Sequence, residues 1–224
     1  MVILNLKTRK NKLNNDSGCT TYLFFSNCQY VAIAQAEEFR FELEDNFQKQ
    51  TYRNRCYVYG ANGKLLLNIP ILHESKGRRQ KTREVKLDSQ NNWQLLHKKS
   101  LEAAYRSSPY FEFYEEDINV IFENKYTYLI DLLLDTNEVI FEALGLNAIF
   151  KKTQVFEQEL SDDFRFLANA KSEQTFDFEV YHQVFSDKYG FITNLSILDL
   201  LFNEGPNSYD YLLKHGHLLQ KKAR

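Results

Sequence analysis

The chain is short of the residues that punctuate a fold, with three prolines and eight glycines among 224 residues. That scarcity excludes collagen-like and linker-rich architectures and leaves no composition break at which to divide the chain. Three cysteines (Cys19, Cys28, Cys56) cannot pair completely, and no two stand at CxxC spacing. Neither a disulfide framework nor a thiolate zinc site is expected, and reduced thiols suit a cytoplasmic location. No run approaches the ~20 apolar residues of a membrane-spanning helix, because the stretches 129–134 and 195–202 are interrupted by Asp131 and Asp199. The opening residues offer only Val2-Ile3-Leu4 as an apolar run, too short for the core of a signal peptide. Neither sign of charge dominates, with 28 Lys and Arg against 30 Asp and Glu. No global field therefore recruits nucleic acid or an anionic membrane, and electrostatic recognition must be local. Neither a G-x-S-x-G nor a Walker motif occurs and no acidic pair has metal-ligand context, so the sequence names no cofactor and no metal.

What is present is core material: 43% of the residues are hydrophobic and 15% aromatic, enough to fill one domain of this length. A single domain over 19–213 is expected, after a flexible tail at 1–18 and before a basic tail at 214–224, where His215-Gly216-His217 reads as a loop or frayed end. Residues 20–25 are β-rich, 29–38 read as a helix, and 39–43 alternate as a half-buried strand does. That is a β-α-β opening. Two apolar runs, 52–59 and 64–71, then flank Asn62-Gly63, a pair that suits a two-residue hairpin turn. With that turn Cys56 faces Ile69, Val58 faces Leu67 and Arg55 faces Pro70. A weak strand at 82–88, helices over 91–106, 110–124 and 126–144 and a strand at 153–156 follow. A helix from 195, with Asn194 as its N-cap, closes at Gly205-Pro206. The fold class is α/β: a mixed sheet with a β-α-β opening, a long β-hairpin, and a helical middle and carboxy-terminal part.

Strand alternation through 49–56 puts Lys49, Arg53 and Arg55 on one side, opposite the apolar face of Cys56 and Val58. Planar guanidinium forks there suit phosphate or carboxylate, against the plainer reading of a solvated strand face. Tyr52, Asn54 and Gln50 fall on the apolar side. His97 lies one turn after Trp93 and one before Leu101, so it is either a satisfied core residue or a cleft residue. In the last apolar helix Ser196, Asp199 and Asn203 form one polar stripe, a water-facing edge or a cleft lining. Six cations against two acids over 74–86 mark an exposed, mobile loop without apolar anchors.

Taken in order, these stretches resemble the WbqC-like family found beside genes for surface polysaccharide (O-antigen) synthesis in bacteria. The resemblance runs from Phe24-Phe25-Ser26 through Lys49-Gln-Thr-Tyr-Arg-Asn-Arg-Cys56, Gly60-Ala-Asn-Gly63, Ile69-Pro70, and Trp93 with His97. It continues past Ser108-Pro109 to Tyr181-His-Gln-Val-Phe185 and the run from Gly190 to Gly205. Two departures stand out: Ser26 replaces a proline, and Lys98 follows the histidine where tryptophan is common. The resemblance implies an acyl- or aminoacyl-transferase, glycyl transfer included, acting on an amino sugar. The substrate would be a sugar nucleotide or lipid-linked sugar, and other polysaccharide-synthesis enzymes would be partners. It also implies a site at Lys49, Tyr52, Arg53, Asn54, Arg55 and Trp93, with His97 as the catalytic base. The alternative is a non-catalytic partner that binds glycan or a neighbouring enzyme through the same pocket.

Overall fold

The computed structural model describes residues 17–20, 24–36, 38–72, 80–146, 149–156, 162–170 and 175–220. The expected tail thus lies outside the described residues up to 16, while Ser17 and Gly18 already belong to a strand. The chain opens with β1 (Ser17–Thr20), α1 (Asn27–Gln35) and β2 (Glu38–Glu42). Strands β1 and β2 pair in parallel, as a β-α-β unit requires. Next come the hairpin β3 (Arg55–Gly60) and β4 (Gly63–Asn68), and the helices α2 (Trp93–Tyr105), α3 (Phe111–Glu123) and α4 (Leu129–Leu144). Short strands β5 (Ile149–Lys152) and β6 (Asp162–Asp163) join β1 and β2 in a parallel sheet of order β5-β2-β1-β6. Four helices close the described chain: α5 (Ser186–Tyr189), α6 (Ile197–Glu204), α7 (Ser208–Lys214) and α8 (His217–Gln220). The fold is mixed α/β.

Helix α1 is the axis of the core. Val31, Ala32, Ile33 and Ala34 are all buried, so it carries no solvent stripe. Its first turn is closed by two side chains: Gln29 Oε1 accepts from Ser26 N at 2.8 Å, and Asn194 Oδ1 accepts from Cys28 N at 2.9 Å. Asn194 therefore caps α1, while α6 is capped by Ser196, whose Oγ accepts from Leu198 N. The left-handed φ of +55° at Asn194 turns its amide toward that distant helix. Helix α4 ends as expected at a left-handed Gly145, with Leu146 N donating to Phe141 O at 2.9 Å.

The hairpin corrects the expected register. Cys56 faces Leu67, Val58 faces Leu65 and Arg55 faces Asn68. The loop is Ala61-Asn62, and the positive φ of +93° falls on Gly63 rather than on Asn62. A glycine after a turn takes that conformation without a Cβ penalty. The pairing slides by two residues, so every side chain keeps its expected face and Cys56, Val58, Leu67 and Ile69 are buried. Other expectations shift too. Residues 82–84 form a 3-10 turn, with single bridges only at Lys86 and Leu87, and the strand expected at 153–156 lies earlier, at 149–152. Leu96 is exposed. At the carboxy end α7 and α8 replace the expected tail up to 220, with His215, Leu218 and Leu219 buried. Residues 73–79 of the basic loop lie outside the described residues. Its second half is anchored, because Thr82 and Val85 are fully buried.

Candidate active site

The base of the hairpin forms a pocket of about 330 Å³. Lys49, Gln50, Asn54, Arg55 and Asn68 supply its polar lining, and Phe47 with the Ile69-Pro70-Ile71 strap supplies apolar walls. Among the described residues no carboxylate lines it. Arg55 starts β3 and is half-buried, its Nε has no hydrogen-bond partner, and it has no ion pair among the described residues. A guanidinium without an ion pair among the described residues has N–H donors suited to an anion. Asn54 fixes the strap: its backbone O accepts from Ile69 N at 2.8 Å, and its Nδ2 donates to Ile69 O at 2.9 Å. Gln50 reaches the pocket rim through a left-handed φ of +61°, a conformation that costs a non-glycine residue about 1 kcal/mol.

Lys49, Asn54 and Arg55 are thus brought together, and the other four expected site residues are not. Arg53 lies in a 3-10 turn (Tyr52–Asn54), where strand alternation does not hold, so it does not share the face of Arg55. It is buried and paired with Asp45, and its Nη1 donates to Thr51 Oγ1 at 3.2 Å. Thr82 Oγ1 donates to the other Asp45 oxygen at 2.5 Å, while Lys81 and Arg83 both pair with Glu44. These contacts tie the 80–84 segment to the pocket loop. Tyr52 is half-buried, edge-on to Tyr57 with ring centres 6.2 Å apart, and burial pushes its phenol up to about 12. His97 stands behind the pocket. Its Nε2 lies 3.2 Å from Asn68 O, its Nδ1 is buried without a partner, and the edges of Trp93 and Phe122 flank its ring. Burial pulls its pKa down to about 4, with the Asn68 carbonyl opposing that, so the ring is neutral at pH 7 and Nε2–H is the donor. Trp93 lines a separate cavity.

The WbqC-like protein family model matches residues 28–174, more than half of the chain. The chain belongs to the WbqC-like protein family. No curated protein and no solved structure gives a match. The matched span holds all seven expected site residues. Among the described residues no helix is long and apolar enough to cross a membrane, and no His, Cys, Asp or Glu group could hold a metal ion.

Beyond the matched span this WbqC-like chain carries a polar centre that its sequence left open. Asp199 is neither water-facing nor in a cleft: it is wholly buried in α6. It accepts from Tyr105 Oη at 2.8 Å, Tyr181 Oη at 2.6 Å and Gln183 Nε2 at 2.7 Å. Tyr105 Oη in turn accepts from Tyr59 N at 2.9 Å. The centre therefore joins the hairpin, α2, α6 and the 181–183 segment. Burial pushes the Asp199 carboxyl up to about 6, the three donors opposing it. The apolar surroundings of Asp199 in sequence signal its burial, but nothing local signals partners 94 and 18 residues away.

Proposed function

We propose that the chain binds an anionic sugar ligand, a sugar nucleotide or lipid-linked amino sugar, in the Arg55 pocket. There it serves acyl or aminoacyl (glycyl) transfer in bacterial surface polysaccharide synthesis on the cytoplasmic side. The observation that carries the binding half is Arg55 itself, a guanidinium that, among the described residues, has no carboxylate partner and sits in a pocket lined by Lys49 and by no acid. A phosphate or carboxylate there would take paired N–H bonds from Arg55, a second charge from Lys49 and amide contacts from Asn54 or Gln50. The apolar strap would face the rest of the ligand. Family membership supports the transfer half. In this reading His97 acts through the Asn68 carbonyl, holding the pocket floor, as a positioning residue.

One observation favours a second reading, in which the chain binds glycan or a neighbouring polysaccharide enzyme and catalyses nothing. The neutral His97 ring is engaged with Asn68 and does not line the pocket, so among the described residues no imidazole stands ready there as general base. Titration calorimetry with N-acetylglucosamine 1-phosphate tests the shared binding claim. Arg55→Lys keeps the charge and loses the fork, so affinity should fall by 1–3 kcal/mol, about 5- to 150-fold. Equal binding by both proteins would refute the pocket. Mass spectrometry of the surface glycan from a strain lacking the chain separates the two readings, since only the transferase reading requires a missing acyl or aminoacyl substituent.

A further inference from the structure

A second cavity, of about 620 Å³, lies on the other side of the strap. Its frame is a set of single backbone pairings rather than a loose loop. Leu72 N donates to Lys86 O at 2.9 Å, Leu87 N to Thr127 O at 3.0 Å, and Gln94 Nε2 ties the start of α2 to Asn124 O at 2.7 Å. Lys86 and Lys125 reach it from two different elements, and neither has an ion-pair partner among the described residues. Among the described residues no acid lines the cavity. The adjacent Asp88 is engaged with Gln90 N at 2.9 Å and Asn91 Nδ2 at 3.0 Å, which braces the rim. Beyond the lysines the lining consists of amides, hydroxyls, the leucines Leu72 and Leu87, and two aromatic residues, Trp93 and Tyr126.

That combination is specific in kind. Amide and hydroxyl side chains donate and accept at once, which matches the vicinal hydroxyls of a sugar ring. Trp93 and Tyr126 offer apolar surface to its C–H faces. Two lysines without an ion pair among the described residues, Lys86 lying 5.8 Å from the centre of the Tyr128 ring, add a preference for negative charge, local to this face of a chain whose net charge is −2. We infer that the Trp93–Tyr126 cavity is a second binding site, for an anionic saccharide whose carboxylate or phosphate is held between Lys86 and Lys125. The inference stands independently of the Arg55 pocket, since the two cavities share no lining residue.

Trp93 is the single tryptophan of the chain, so its fluorescence reads this cavity directly. Trigalacturonate titrated into the protein should give a saturable change in Trp93 emission. Its methyl ester, equal in rings and free of charge, should bind about tenfold more weakly or worse, as expected when two charge-assisted contacts are lost. N-acetylglucosamine 1-phosphate in a parallel arm tells phosphate from carboxylate, and saturation by either anionic sugar upholds the site. Lys86→Gln and Lys125→Gln should each weaken binding about fivefold or more, with calorimetry as the second readout. Arg55→Lys tells the two cavities apart. If it abolishes the emission change and the lysine variants do not, the sugar sits in the Arg55 pocket and the inference fails. It fails equally if neither anionic sugar saturates by fluorescence or calorimetry, or if the ester binds as well as the acid.

Discussion

Two buried titratable groups, Asp199 and His97, should tilt stability with pH in opposite directions. The Asp199 carboxyl, wholly buried, keeps its proton up to about 6 against an ordinary value of 3.8. The folded state therefore binds this proton more tightly than the unfolded chain does. Its contribution is full below the unfolded value and is lost as pH rises through the folded one. The His97 imidazole is held neutral down to about 4 against 6.5. Its contribution runs the other way, full above the unfolded value and lost as pH falls through that window. At about 1.4 kcal/mol per pH unit each gap is worth about 3 kcal/mol, and over about pH 4 to pH 6 the two slopes oppose each other.

The perturbation is to remove one group at a time. Asp199→Asn leaves the His97 slope uncompensated, so stability should rise across that window more steeply than in the wild type. His97→Gln leaves the Asp199 slope, so stability should fall relative to the wild type. Each variant also shifts the overall level, because buried hydrogen bonds are lost, but the level does not enter the comparison. Every other titrating group, including His215 with its burial-lowered pKa, adds the same background to all three proteins. Urea unfolding followed by circular dichroism at several pH values between about 4 and 7 gives the slopes directly. The reasoning is refuted if either variant keeps the wild-type slope, or if both tilt in the same direction.

Three further substitutions test the packing around the site and the turns. Arg53→Ala should destabilise the protein by about 3–5 kcal/mol in denaturant unfolding, because it removes the buried guanidinium paired with Asp45; a loss under about 1 kcal/mol, the range of an exposed pair, would show that the pair acts as a surface one. Gly205→Ala should cost about 2 kcal/mol or more, since its φ is +52° and a Cβ there would stand 2.6 Å from Tyr110 ring atoms. Gly63→Ala, at φ +93° with nothing within 4 Å, should cost only the conformational term of about 1 kcal/mol, and thermal melts should rank the two in that order.

Much of the fold is legible from local signals. The switch from alternation at 39–43 to helical spacing, the all-round apolar run of α1 and the glycines at 145 and 205 mark elements without reference to anything distant. What fails is what depends on a partner. Asn194 reads as the cap of the helix beside it, yet its amide closes α1, which is 166 residues away in sequence. His215 reads as part of a frayed end, yet it is buried because Nε2 accepts from Glu179 N at 3.0 Å and Nδ1 faces Tyr211 O at 2.7 Å. Both polar atoms are satisfied by backbone, which no sequence pattern announces.

The candidate site fails in the same way and for an instructive reason. Arg53 and Arg55 are two residues apart, and on a regular strand they would be equivalent cations on one face. The 3-10 turn at Tyr52–Asn54 breaks that equivalence, and the difference is then settled by Asp45, which takes Arg53 and leaves Arg55 without a carboxylate among the described residues. A buried carboxylate must find a cation or lose its charge. Asp45 is held by Arg53 from the pocket loop and by Thr82 from the returning 80–84 segment, so one acidic residue fixes both. The consequence is a difference between the two arginines: Arg53 sets where the loop lies, and Arg55, two residues on, stays without an ion pair among the described residues. Substituting Arg53 should therefore weaken anion binding only through misplacement of Arg55, together with a loss of stability, whereas Arg55→Lys should weaken binding with stability unchanged.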